Sequence, residues 1–314
     1  MVSRTLRTPA PAKLNLTLEV LARREDGFHD LASIVQTVDL TDLVELLPAS
    51  ATPGVSIVDG SGRTVPIPFG NELVATAWDL LVERQGVDRD VAVRVTKSIP
   101  IAAGLGGGSS DAAAFLRLAQ QHWSLPRRVV YEVAREIGSD VALFLVGGAV
   151  LMEGRGERVT LLPDAATDSP DWGALIYTPE LPLPSSKTAA MYGALRPTHL
   201  RGDDHTVELG AALVRGSAPA QDDCWNTFDL VAGEVLMGLT DARRRVAAAT
   251  QQVAVLAGAG PSLFLLGDPD ALEPAAEQLN AEGSGRARLV RPLSREAATR
   301  IELGPDDAAS AGGV

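Results

Sequence analysis

The stretch Gly104-Leu105-Gly106-Gly107-Gly108-Ser109-Ser110 puts four glycines into five residues directly ahead of an alanine-rich segment. Glycine lets a backbone approach a ligand closely and adopt positive φ. A helix start offers unpaired N–H groups and the positive end of a dipole. Together they make a phosphate cradle, to which the two serines add hydroxyl donors or a cap. A mobile turn closed by a serine N-cap is the plainer reading, but a cap does not need that many glycines. Two other nucleotide loops are excluded. A P-loop ends in Gly-Lys-Ser/Thr, and no lysine follows these glycines. The dinucleotide fingerprint G-x-G-x-x-G, counted from Gly104, meets Ser109 at its third glycine, and Gly258-Ala-Gly260 fails likewise at Leu263.

Lysine is scarce: Lys13, Lys97 and Lys187 are the three among 28 basic residues. A lysine kept in an arginine-rich chain marks a place that wants a compact ammonium, or is chance. Lys13 and Asn15 alternate with Leu14, Leu16, Leu18 and Val20. That is a half-buried strand with both polar side chains on one face. Lys97 follows the alternation Val91, Val93, Val95 and leads through Pro100 into the glycine loop. Asp140 comes just after a predicted helix over 126–137 and its C-terminal Gly138, where a cap is one role open to it. Asp111 suits a first helical turn, where a carboxylate meets the positive end of the dipole.

These residues must be positioned by the elements around them. Strands are predicted at 31–40, 43–47, 149–152 and 158–162, turns and a hairpin over 49–70, and helices at 71–84 and from the glycine loop to His122. Residues 164–171 have linker composition. Beyond them come strands at 174–177, 253–256, 263–266 and 287–290 and helices at 186–195, 228–248 and 271–280, with 201–221 loop or partly helical. Strands fall in runs rather than strict βα alternation, which favours an α+β fold. Residues 1–165 and 166–304 are the expected domains, and the small, polar 305–314 an expected disordered tail.

The 314 residues carry a net charge of −12. That argues against nucleic acid or an anionic membrane as partner, while a small anionic ligand at a locally positive site stays open. The lone Cys224 rules out an internal disulfide and a cysteine zinc cluster. With no signal-peptide pattern and no spanning apolar run, a cytoplasmic protein is expected.

Pro100-x-x-x-Gly-Leu-Gly-Gly-Gly-Ser-Ser-Asp-Ala-Ala resembles the phosphate loop of the GHMP small-molecule kinases, Ala12-Lys-Leu-Asn15 their N-terminal strand motif, and Gly258-Ala-Gly-Pro-Ser262 their C-terminal glycine motif. The three occur in the family's order. Arg24-Glu-Asp-Gly-Phe-His-Asp-Leu31 and Gly138-Ser-Asp140 narrow the resemblance to the branch acting on the 2-hydroxyl of 4-diphosphocytidyl-2-C-methyl-D-erythritol. The resemblance implies a two-domain α+β GHMP kinase fold, with an N-terminal domain like that of some ribosomal proteins and a C-terminal α/β sandwich. It implies ATP as co-substrate, with Mg2+, and a cleft site; no nucleic-acid, membrane or protein partner is implied.

By the same resemblance Asp140 is the general base and Lys13 its cationic partner, and Asn15 touches substrate. ATP falls to Pro100, the glycine loop from Gly104 through Ser110, and Lys97 and Asn71 on the adenine side. Phe28, standing where the family usually has tyrosine, and His29 take the cytosine, with Thr188 and Tyr192 completing that end and Tyr192 facing Phe28 across the ring. The metal ligands stay open among Ser109, Ser110 and Asp111. A kinase for another alcohol, or a non-catalytic nucleotide sensor, are the competing readings.

Overall fold

The computed structural model describes residues 4–47, 52–66, 72–164, 172–200 and 202–304. Asn71, the stretch 165–171 and the tail 305–314 lie outside the described residues. Three strands open the chain: β1 (Leu6–Asn15), β2 (Thr17–Arg23) and β3 (His29–Leu47). The third is one 19-residue strand where the sequence suggested two. Its register against β1 shifts between Pro11 and Ala12, where Asp39 and Leu40 of β3 are extra residues that bulge the strand without ending it. β4 (Gly54–Asp59) pairs in parallel with β5 (Ala92–Lys97), with helix α1 (Leu73–Gln85) as the crossover. The hairpin expected over 49–70 is a short one: Val58 bridges Thr64 antiparallel across a tight turn. The Val65 N–H donates to Ile57 O at 3.0 Å and the Asp59 N–H to Arg63 O at 2.8 Å. The parallel β4–β5 pair is a separate contact that needs the crossover.

Helix α2 (Gly107–His122) is buried on every side from Ser110 to Ala119. Its alanines let strands and helices approach it closely, so an Ala-rich segment can sit at the centre of a core. α3 (Arg127–Ile137) and the one-turn α4 (Val141–Phe144) follow, then β6 (Ala149–Gly154) and β7 (Arg158–Leu161).

The later part begins with β8 (Gly173–Pro179), α5 (Lys187–Ala194), α6 (His205–Val214) and the short β9 (Trp225–Asn226). The stretch 228–248 is mostly helical, as expected: a 3-10 turn (Thr227–Leu230) leads into α7 (Ala232–Val235) and α8 (Leu239–Thr250), with Gly238 at positive φ between the last two. β10 (Val255–Leu256), β11 (Leu263–Gly267), α9 (Pro269–Ala281), β12 (Gly285–Val290), α10 (Arg295–Thr299) and β13 (Glu302–Leu303) complete the described chain.

Among the described residues the strands form a nine-stranded and a four-stranded sheet, the smaller ordered β10-β11-β8-β12. Alternate residues of β8 face opposite cores. Ala174 and Ile176 pack with Leu14 and Leu16 of the large sheet, whereas Leu175 and Tyr177 pack with Leu239, Val246 and Leu279 of the helices. Both faces are covered, which explains why β8 and β11 read as unbroken apolar runs. Two late strands return to the large sheet: β9 pairs with β2, and β13 with β1.

Candidate active site

The glycine loop leaves β5 and enters α2. Its Leu105 carbonyl accepts the Lys13 backbone N–H at 3.0 Å, and its Ala103 carbonyl accepts that of Ser262 at 3.2 Å. Two of its glycines are required by the protein itself. Gly104 (φ +86) lies against the backbone of Ala257 and Gly260, and at Gly106 (φ +76) a Cβ would stand 2.7 Å from the Phe144 ring. Gly108 is different: no atom lies within 4 Å of its would-be Cβ and its φ is not positive. That open space is one a phosphate could fill. No serine side chain caps α2, so the simple capped-turn reading does not hold.

Lys13 and Asn15 share a face of β1, but that face is not solvated; both are nearly fully buried beneath the loop. The Lys13 ammonium donates to Asn15 Oδ1, and Asn15 Nδ2 donates to Ser33 Oγ at 2.8 Å. Asp140 reaches to 3.7 Å from Lys13 Nζ with a third of its side chain exposed. Its carboxylate makes no cap bond to α4. Burial lowers the Lys13 pKa, and Asp140 opposes that shift without cancelling it.

Lys97 Nζ sits between Asp42 Oδ2 at 2.5 Å and Asp111 Oδ2 at 2.6 Å, all three nearly or fully buried. Asp42 Oδ1 also accepts the N–H groups of Ser98 and Ile99, at 2.5 and 2.8 Å. Burial pulls the Lys97 pKa down, yet the two carboxylates outweigh it and hold it above the usual lysine value. Burial and the like charge of Asp42 push Asp111 up to about 8 against the pull of Lys97. Asp111 lies beyond the first turn of α2 and does not serve the helix dipole as the sequence suggested; it faces Lys97 instead.

At the other end, the His29 and Tyr192 rings stack at 4.7 Å and 20°, and Tyr192 meets Phe228 edge-on at 4.9 Å. Phe28 is half exposed, with the Arg155 guanidinium 4.8 Å over its ring. Tyr192 thus partners His29 rather than closing a sandwich on Phe28. Burial, then Arg23, lowers the His29 pKa, and burial, then Asp140, raises Tyr192 to about 12.

A cleft of about 1540 Å³ brings these groups together. Lys13, Asn15, Phe28, His29, Lys97, Pro100, the loop from Gly104 to Ser109, Asp140, Thr188 and Tyr192 all line it. Ser110 does not; its hydroxyl is buried in α2 without a partner. Asn71 falls outside the described residues. Sequence reasoning missed Asp42 and Asn226. Asn226 Nδ2 donates to Leu256 O at 2.7 Å and Gly258 O at 2.8 Å, fixing the second glycine loop. A carboxylate inside an apolar strand pattern was the available signal for Asp42; for Asn226 there was none.

A glycine-walled cleft on this α+β fold is that of the GHMP small-molecule kinases, and residues 72–148 match the GHMP kinases N terminal domain. A 4-diphosphocytidyl-2-C-methyl-D-erythritol kinase of Dehalococcoides mccartyi is 38% identical over 90% of this chain and 97% of its own length. One from Geobacillus thermodenitrificans is 33% identical over 84% and 89%. A crystal structure of 4-(cytidine 5'-diphospho)-2C-methyl-D-erythritol kinase, 34% identical, superposes with a TM-score of 0.69 over 91% of this chain and 98% of its own. Homoserine kinase from Cytophaga hutchinsonii, 18% identical, shares the fold with a TM-score of 0.62, covering 96% and 98%. The chain belongs to the 4-diphosphocytidyl-2-C-methyl-D-erythritol kinase family within the GHMP kinases. As a kinase of this family it takes ATP as co-substrate.

Proposed function

We propose that this protein transfers the γ-phosphoryl group of ATP to the 2-hydroxyl of 4-diphosphocytidyl-2-C-methyl-D-erythritol, giving the 2-phosphate and ADP, in the non-mevalonate route to isoprenoid precursors. The observation that carries this reading is the Lys13–Asp140 pair beneath the glycine loop, in one cleft with the His29–Tyr192 stack. Phosphoryl transfer asks for positioning and charge neutralisation more than covalent chemistry. The glycine loop and the start of α2 hold the ATP phosphates. Asp140 takes the proton of the acceptor hydroxyl as its oxygen forms a bond to the γ-phosphorus and the bond to the β,γ-bridging oxygen breaks. A carboxylate alone is a weak base for an alcohol. Lys13 lowers the hydroxyl's pKa and meets the developing charge.

Phe28 and His29 take the cytosine end with Tyr192 and Thr188, and Lys97 serves the ATP side. Among the described residues no cluster of three or more acidic, histidine or cysteine side chains stands ready for a metal. That suits Mg2+, which binds through one or two carboxylates and the substrate's phosphates. Asp111, whose Oδ1 is buried without a hydrogen-bond partner, would hold it, with Ser109 beside it on the cleft wall; the ion would supply charge neutralisation at the phosphates. Among the described residues no helix is long and apolar enough to cross a membrane; we place the enzyme in the cytoplasm. Division into 1–165 and 166–304 remains our proposed domain boundary.

The test is magnesium-dependent ADP release with the cytidyl acceptor, homoserine, mevalonate and galactose in parallel. Turnover on the cytidyl acceptor alone is expected. Turnover on another alcohol would discard the roles of Phe28 and His29.

A further inference from the structure

Lys187 opens α5, and its partly exposed side chain turns back toward the glycine loops. It donates to the Ala102 carbonyl at 2.7 Å and to the Gly260 carbonyl. Ala102 precedes the phosphate loop and holds φ at 56°, unusual for alanine; Gly260 belongs to the second glycine loop. The two loops meet backbone to backbone here, since a Cβ on Gly258 would lie 2.8 Å from Gly104 O and 3.1 Å from Lys13 Nζ. Carbonyl oxygens exposed at such a junction would repel a polyphosphate, and the ammonium covers them. It has three donors, and two are used.

Among the described residues no carboxylate pairs with Lys187. A partly buried ammonium without a counter-charge is unfavourable, and an anionic ligand relieves that cost. Burial and then Lys13 pull its pKa down to about 8, as expected of a cation crowded by another cation. Lys187 lines the same cleft as Lys13 and Gly104.

Resting on the kinase reading above, we propose that Lys187 is a further phosphate-binding residue, which pins the two glycine loops together and gives its remaining N–H to the terminal phosphate of ATP. Arginine would not serve, because a planar fork does not fit between two carbonyls as a point charge does.

The test compares wild type with Lys187→Met, which removes donors and charge, and Lys187→Gln, which keeps N–H donors without charge. Turnover is measured on the cytidyl acceptor, and affinities for ADP and for the non-transferring β,γ-imido-ATP by calorimetry. Both variants should lose about 10- to 100-fold in kcat, the scale of one charge-assisted contact. Imido-ATP affinity should drop about tenfold, with ADP affinity within about threefold. Turnover within about twofold of wild type would overturn the proposal. So would equal losses for both nucleotides with a lowered Tm, the mark of a staple with no phosphate contact. If wild type fails to turn over, the acceptor reading fails, while the two nucleotide affinities still judge Lys187.

Discussion

Lys13 shows how one side chain's surroundings decide its chemistry. In a half-solvated strand it would be an ordinary surface ammonium. Buried under the loop, with Asp140 at 3.7 Å, it is a fixed charge aimed into the cleft. The low pKa of Lys187, about 8, has a consequence with a definite sign. A lysine pKa lowered to about 8 means that the ammonium is mostly present near neutral pH and is lost as pH rises through about 8. Tyr192, near 12, stays neutral across that range. Hence kcat/KM for ATP should fall as pH rises through about 8 to 9, since this parameter reports free-enzyme ionisations. A flat profile to pH 10 would contradict that expectation. Tyr192 is proposed to hold the acceptor. Tyr192→Ala should raise the acceptor KM about tenfold or more, at about 1–3 kcal/mol per stacked base, and leave the ATP KM unchanged. Steady-state kinetics with each substrate varied will check this.

The glycine loop and α2, proposed to hold the ATP phosphates, separate two reasons for glycine. Gly106 is required by the fold: its φ of +76° and the Phe144 ring leave no room for a side chain. Gly106→Ala should cost about 1–3 kcal/mol in chemical denaturation. Gly108 has open space and lies early in a helix, where alanine is favoured over glycine by about 0.5–1 kcal/mol. Gly108→Ala should therefore leave Tm unchanged or higher, yet raise the ATP KM about tenfold, because the methyl occupies phosphate space. The loop, α1, α2, α3 and most strands were legible in sequence, because their periodicities and glycine punctuation are local. The continuity of β3, the parallel β4–β5 pair and the two-residue β9 and β13 were not. Those depend on a bulge, a crossover and distant partners that no short window contains. The site followed the same rule. Lys13, Asp140 and the loop lie in local motifs, whereas the pairing of Lys97 with Asp42 joins residues 55 apart.

At the scale of the whole molecule, a net charge of −12 is reconciled with two anionic substrates by gathering all three lysines at one cleft. The cleft exists only when both sheets are in place. Leu14 and Leu16 share a core with Ile176 and Phe264, and β9 and β13 complete the sheet begun by β1 and β2. Thermal unfolding should accordingly be one transition by fluorescence and circular dichroism alike. Two separated transitions would mean that the halves are independent. Asp140 is proposed to remove the acceptor's proton while the glycine loop holds ATP without its help. The direct measurement is kcat of wild type and Asp140→Asn on 4-diphosphocytidyl-2-C-methyl-D-erythritol, with ADP affinity measured on the same preparations. In the variant kcat should fall by about 10²- to 10⁴-fold while ADP affinity stays within about twofold. Retained turnover, or ADP affinity lost together with turnover, would contradict it.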